Sequence, residues 1–177
     1  MQRAAIVMLG NSITYGVNWV ELMGRQTIAN RGIGGDNTYG MLNRMDHVYS
    51  LQPKLCCVMA GINDIYAGIP VDTIFSNYKK MIDGLRTHHV VPVIQSTLYV
   101  NTKWKKADEN NLLVTQLNDL LKKFAAAEKI DFLDINKHIA PEHALRDECT
   151  YDGLHLTAAG YAPWRTELEE IFKKYGL

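Results

Sequence analysis

"AAIVMLGNSITYG", residues 4–16, divides into two parts that ask for different backbones. Ala4 to Leu9 is apolar throughout rather than at alternate positions, the mark of a strand buried on both faces in a parallel sheet. Gly10 ends the run, and Asn11 and Ser12 are residue types that open helices by capping free N–H groups. The stretch therefore predicts a strand feeding a helix. It also leaves the Ser12 hydroxyl at the carboxyl end of that strand, where it is either a helix cap or a nucleophile.

The same pattern recurs along the chain. Thr27 to Asn30, Lys54 to Ala60, Val90 to Thr97 and Ile130 to Asp134 read as strands. Val17 to Arg25, Asn37 to Tyr49, Val71 to His88 and Ala107 to Glu128 read as the intervening helices. Leu113, Leu117, Leu120, Leu121 and Phe124 form one apolar stripe at helical spacing, as do Trp164, Leu168, Ile171, Phe172 and Tyr175 near the end,. Strands alternating with helices across short connections predict right-handed crossovers, hence an α/β fold: a three-layer α/β/α sandwich around a central parallel sheet of about five strands. No repeat, low-complexity tract or Pro/Gly/Ser-rich linker interrupts residues 1–177, so one domain is expected.

Hydrophobic residues make up 47% of the 177, as in a chain with a substantial core,. Lys plus Arg and Asp plus Glu each number 19. That balance supplies no basic field for nucleic acid or an anionic membrane and favours a small-molecule substrate. Apolar runs such as Leu55 to Ile62 fall far short of the ~20 residues of a membrane helix, so no membrane span is expected. "MQRAAIVMLG" superficially resembles a leader, with Arg3 ahead of an apolar run, but its removal would take away a strand; we read it as structure,. The chain as given is then cytoplasmic, and periplasmic or secreted had a leader been removed ahead of it. Cys56 and Cys57 point to opposite faces of one buried strand and Cys149 lies in a polar loop, which suits free thiols of a reducing compartment,. Nothing in the sequence argues for a homo-oligomer.

In an open parallel sheet, ligands gather at the carboxyl ends of the strands. Three loops rich in Gly and Asn emerge there: "GNS" at Gly10 to Ser12, "RGIGGDN" at Arg31 to Asn37, and "GINDI" at Gly61 to Ile65. A serine hydroxyl needs a base to take its proton, and histidine is the side chain best suited near neutral pH. His47, His88 and His89 fall at helix ends, and His138 and His143 lack the three- or four-residue spacing of a helical metal pair, so no metal site is expected,. His155 stands in "YDGLHLTAAGY", three residues after Asp152. A tight turn brings that pair together, either as a plain Asp-Gly turn with a packed histidine or as a carboxylate orienting an imidazole. Acyl transfer also needs oxyanion donors, for which the Ser12 N–H, an N–H of the Gly34-Gly35 turn and the Asn63 amide are placed at adjacent strand ends. Asp36, Asn37 and Asp64 are equally suited to cap the helices that follow.

Four ordered blocks, "MLGNSITYG", "NRGIGGDNT", "GIND" and "DGLHL", together resemble the SGNH hydrolases, also called the GDSL esterase/lipase family. The resemblance implies a flavodoxin-like sandwich and a serine hydrolase that uses no cofactor. By position it implies Ser12 as nucleophile, His155 as general base, Asp152 as the residue orienting it, and Ser12, Gly35 and Asn63 as the oxyanion hole. One departure is Asn11, where the family name carries Asp. The middle of the chain further resembles a subgroup of carbohydrate O-acetylesterases and relatives of platelet-activating-factor acetylhydrolase, which implies a serine esterase acting on short acyl, above all acetyl, esters of a carbohydrate or another small molecule. Asn11, Asp36, Tyr99 and Trp104 are candidate substrate contacts, with Lys103, Lys105 and Lys106 able to meet a polar or anionic group or simply to stay solvated. A lysophospholipase- or thioesterase-like hydrolase, an acyltransferase on the same triad, an FMN-binding flavodoxin-like carrier and a carbohydrate-binding module are the competing readings.

Overall fold

A computed structural model of the chain describes residues 3–177. Five strands form the sheet: β1 (Ile6–Gly10), β2 (Ile28–Gly32), β3 (Leu55–Val58), β4 (Val91–Gln95) and β5 (Asp131–Leu133). All neighbouring pairs are parallel, in the order β2-β1-β3-β4-β5. Every residue of β1 and β3 is buried, as the absence of alternation in their sequences requires,. Ile6 faces Ile28 on one side and Leu55 on the other, which fixes the register of the three central strands.

Nine helices complete the described residues: α1 (Ser12–Tyr15), α2 (Trp19–Met23), α3 (Thr38–Asn43), α4 (Met45–Tyr49), α5 (Ile62–Tyr66), α6 (Val71–Thr87), α7 (Ala107–Glu128), α8 (Asn136–Ile139) and α9 (Ala158–Lys174). α2 and α8 pack on α9, while α3 to α7 pack on one another across the opposite face. The result is a three-layer α/β/α sandwich. Leu117 and Leu121 of the α7 stripe and Trp164, Leu168 and Phe172 of the α9 stripe are fully buried, so the helical spacing names the faces that meet the sheet,. None of these helices is long and apolar enough to cross a membrane.

Three features differ from the sequence reading. The helix expected over residues 37–49 is broken at Arg44 (φ −120°, ψ 16°), whose guanidinium reaches back to the strand ends. The helix expected over residues 17–25 is trimmed to α2 by the Asn18 cap and by Gly24 in the left-handed region at φ +61°,. Cys149 is buried at the end of a short 3-10 turn (Asp147–Cys149) rather than lying in a solvated loop, and all three thiols are free.

Because β2 lies on one side of β1 and β3 on the other, the loops leaving β1 and β3 diverge and open a crevice between them, the topological switch point of this sheet,. Ser12 and Asn63 stand on its two edges.

Candidate active site

Ser12 is the first residue of α1, separated from the end of β1 by Asn11 alone. The cap is its neighbour: Asn11 is buried and its Oδ1 accepts from the Ile13 N–H at 3.0 Å. That division of labour frees the Ser12 hydroxyl. Two bonds fasten α1 from the α9 side, Trp19 Nε1 donating to Thr14 O at 2.8 Å and Tyr161 Oη to Ile13 O at 2.6 Å. Trp19, Tyr161 and Trp164 also pack edge-to-face and stacked with centroids 5.1–6.3 Å apart, so a short helix is held by a rigid aromatic wall,.

The loop ahead of α9 brings the histidine. Thr150 and Leu156 form an antiparallel bridge, and the Thr150 hydroxyl donates to His155 O at 2.7 Å while accepting from the Gly153 N–H at 2.8 Å. Inside this turn, Asp152 Oδ1 accepts from the N–H groups of Leu154 (2.9 Å) and His155 (2.7 Å). Its Oδ2 lies 2.6 Å from His155 Nδ1, and His155 Nε2 lies 3.0 Å from Ser12 Oγ, across 143 residues of chain. Burial pushes the Asp152 carboxyl up, but the imidazole and the two backbone N–H groups outweigh it and hold the group below the usual carboxylate range,. An ionised carboxylate at Nδ1 keeps the proton on that nitrogen and turns the Nε2 lone pair toward the serine.

Gly35 and Asn63 arrive from the neighbouring loops. Asn63 Nδ2 donates to Asp36 O at 2.8 Å, which spends one of its two N–H bonds on the turn that carries Gly35 and leaves the other,. Neither the Ser12 nor the Gly35 N–H meets an acceptor among the described residues. Gly35 has φ +74° and Gly61, at the start of α5, has φ +112°; a Cβ on Gly61 would stand 2.5 Å from Leu117 Cδ2, so only glycine lets β3 turn into α5 against α7,.

Two buried networks lock these loops together. Arg44 donates to Asp36 Oδ2 (2.7 Å), Arg31 O (2.9 Å) and Gly10 O (3.0 Å), tying the ends of β1 and β2 to the Gly35-Asp36 turn. Asp64, fully buried, accepts from the Thr38 N–H at 3.0 and 3.1 Å and from the Thr38 hydroxyl at 2.5 Å, and that hydroxyl accepts from Asn77 Nδ2 at 2.9 Å. Burial raises the Asp64 carboxyl more than the Thr38 bonds lower it. Asp64→Ala strands both Thr38 donors and is expected to cost about 2–4 kcal/mol in denaturant titration; an unchanged midpoint would remove Asp64 from the framework.

The structure does not bring every expected substrate contact to this crevice. The Asn11 side chain is turned inward as the α1 cap, and the Asp36 carboxylate is held by Arg44 with only 10% of its side chain exposed. Tyr99 is buried: its hydroxyl is 3.0 Å from Thr115 Oγ on α7 and its ring stacks on His143. In each case a nearer partner outcompetes a ligand for the polar group. Trp104 does reach the site, lying against Gly153 beside Asp152. Two tyrosines that sequence reasoning missed also lie there: Tyr151, 71% exposed and stacked on the His155 ring, and Tyr66, one turn along α5 from Asn63. Their positions within "TYDGLH" and "GINDIY" were the available signal.

The model of the GDSL-like lipase/acylhydrolase family matches residues 8–162. The chain belongs to this family. A GDSL-like lipase from Bacteroides thetaiotaomicron VPI-5482 superposes with TM-score 0.88 at 26% identity, over 96% of this chain and 88% of its own. An acetyl xylan esterase, AlAXEase, superposes with TM-score 0.78 over 94% and 98% of the two chains; at 21% identity it shows the fold alone. The N-acylneuraminate cytidylyltransferase of Streptococcus agalactiae serotype III (strain NEM316) is 27% identical over 159 residues, 88% of this chain but 36% of the relative. The chain thus spans about a third of the length of the curated relatives it matches.

Asn11 occupies the position that carries Asp in the name of the GDSL family. Because its visible task is to accept from the Ile13 N–H, a carboxylate does the same work,. Asn11→Asp is therefore expected to change ester turnover by less than about tenfold in steady-state assays, and complete loss would mean that the Asn11 amide has a second task.

Proposed function

We propose that the chain is a serine esterase that removes short acyl groups, acetyl above all, from an alcohol oxygen of a carbohydrate. The observation that supports it most is the line Asp152–His155–Ser12, with contacts of 2.6 and 3.0 Å. In this reading Ser12 Oγ attacks the acyl carbon while its proton passes to His155 Nε2. The carbonyl oxygen becomes an oxyanion held by the N–H groups of Ser12 and Gly35 and the Asn63 amide. Collapse breaks the bond to the alcohol, which leaves with the proton from His155. Water then attacks the acyl-enzyme, His155 taking its proton, and expulsion of Ser12 Oγ with that proton releases the acid. Asp152 holds the imidazole in the tautomer needed and stabilises its charged form.

The short acyl group is supported by the short connections at the strand ends. One residue separates β1 from α1, and the β2–α3 and β3–α5 connections comprise only residues 33–37 and 59–61, which leaves these loops little length to wall a long acyl chain. Curated relatives named N-acylneuraminate cytidylyltransferase, 27% identical, favour a sugar as the alcohol. The test is a ladder of p-nitrophenyl esters. Acetate should be hydrolysed about tenfold or more faster than octanoate, each added methylene finding no pocket; faster hydrolysis of octanoate would exclude the short-chain reading.

A further inference from the structure

Between α5 and the segment entering α7 lies a groove of about 560 Å³, bordered by Tyr66, Trp104, Lys105, Lys106, Glu109 and Asn110. It borders the helix that carries Asn63 and the turn that carries Asp152. Tyr66 follows Asn63 by one turn of α5, and Trp104 packs on Gly153, where a Cβ would stand 3.1 Å from Trp104 Cε3. The Asn101 N–H donates to Gly153 O at 2.8 Å, so the groove wall and the Asp152 turn are one unit.

Resting on the reading of Ser12 as nucleophile, we propose that this groove is the subsite for the alcohol half of the ester and that it takes a glycosyl ring bearing a carboxylate. The Tyr66 and Trp104 rings lie 6.2 Å apart between centroids and tilted by 53°, with Tyr66 37% exposed, forming an open aromatic angle between α5 and the Asp152 turn. A pyranose lays its C–H face on such rings and turns its hydroxyls to the polar rim, whereas an alkyl chain would bury that rim's charges without partners. The charges choose among sugars. Lys103 is taken by Asp147 at 2.7 Å, away from the groove, and Lys106 faces Glu109 at 3.7 Å. Lys105 has no acidic partner among the described residues and leaves the rim with one uncompensated positive charge. A carboxylate on the ring supplies the missing partner.

The experiment compares kcat/KM for three acetates: ethyl acetate, which has no ring, O-acetylated methyl glucoside, and its methyl glucuronide counterpart. Tyr66→Ala and Trp104→Ala should each lower the ratio of glycosyl acetate to ethyl acetate by about tenfold or more, the cost of removing an aromatic anchor. The native protein should prefer the glucuronide by several-fold at low salt, and Lys105→Ala should abolish that preference. Unchanged ratios in both aromatic variants, or equal rates on the two rings, overturn the proposal. Should the native protein hydrolyse no acetate, the esterase reading fails separately, and the groove is then read by titrating unacetylated methyl glucuronide against tryptophan fluorescence. A saturable change lost in Trp104→Phe supports the subsite; its absence overturns it.

Discussion

Ser12→Ala should lower kcat on p-nitrophenyl acetate by about 10⁴-fold or more, with the thermal midpoint close to that of the native protein. The two halves of that expectation come from different parts of the structure. The fold survives because Ser12 does not hold α1: Asn11 caps it, and Trp19 and Tyr161 bond to its carbonyls. Activity is expected to fall because Ser12 Oγ is the hydroxyl at 3.0 Å from His155 Nε2 among the described residues, and on the proposed reading no acyl-enzyme forms without it. What remains is whatever the oxyanion donors give to direct attack by water. A burst of p-nitrophenol in the native protein and its absence in the variant would locate the loss at acylation. Undiminished turnover with native stability would reduce Ser12 to a helix residue.

Asp152→Asn should cost about 10³–10⁴-fold in kcat while leaving the loop intact. Asparagine keeps one oxygen to accept from the Leu154 and His155 N–H groups, as Asp152 Oδ1 does at 2.9 and 2.7 Å. Its amide then replaces Oδ2, which lies 2.6 Å from His155 Nδ1. Two donors cannot face each other at that distance, so the imidazole must place its proton on Nε2 and present a donor to Ser12. The base is then still in position and in the wrong tautomer. Activity within tenfold of native would show that the carboxylate does not set the tautomer.

The same substitution has a pH signature. The native Asp152 carboxyl titrates below its unfolded value of roughly 3.9, so its contribution to stability is present above that value and disappears as the pH falls through the native one,. The Asn variant should lack that part of the acid loss of stability.

Much of the site is written in short-range patterns, and those were legible. Asp152 and His155 are three residues apart in a glycine-containing turn, and the Leu154 and His155 N–H groups bond to Oδ1 within that turn, which draws the two side chains together. The apolar runs of β1 and β3 lack alternation because both faces of those strands are covered. Short-range patterns misled where a side chain had several partners in reach. Asp36 and Tyr99 sit in loops that look open in the sequence, yet Arg44 and the Thr115–His143 pair claim them. Arg44 itself read as an interior residue of one helix, and its guanidinium finds its acceptors on Gly10, Arg31 and Asp36 only after the strands are assembled.

By itself, then, the sequence determined the strands, the long helices and the chemistry available in each loop, because these depend on periodicity, glycine and caps within a few residues of one another. Only the tertiary structure decided that His155 meets Ser12 across 143 residues, that Asp64 holds Thr38, and that Tyr66 and Trp104 border one groove. Those contacts depend on the strand order β2-β1-β3-β4-β5, which places the β1 and β3 loops on either side of one crevice. They depend also on competition among buried polar groups, each of which takes the partner that packing brings nearest, and neither determinant leaves a local trace in the chain.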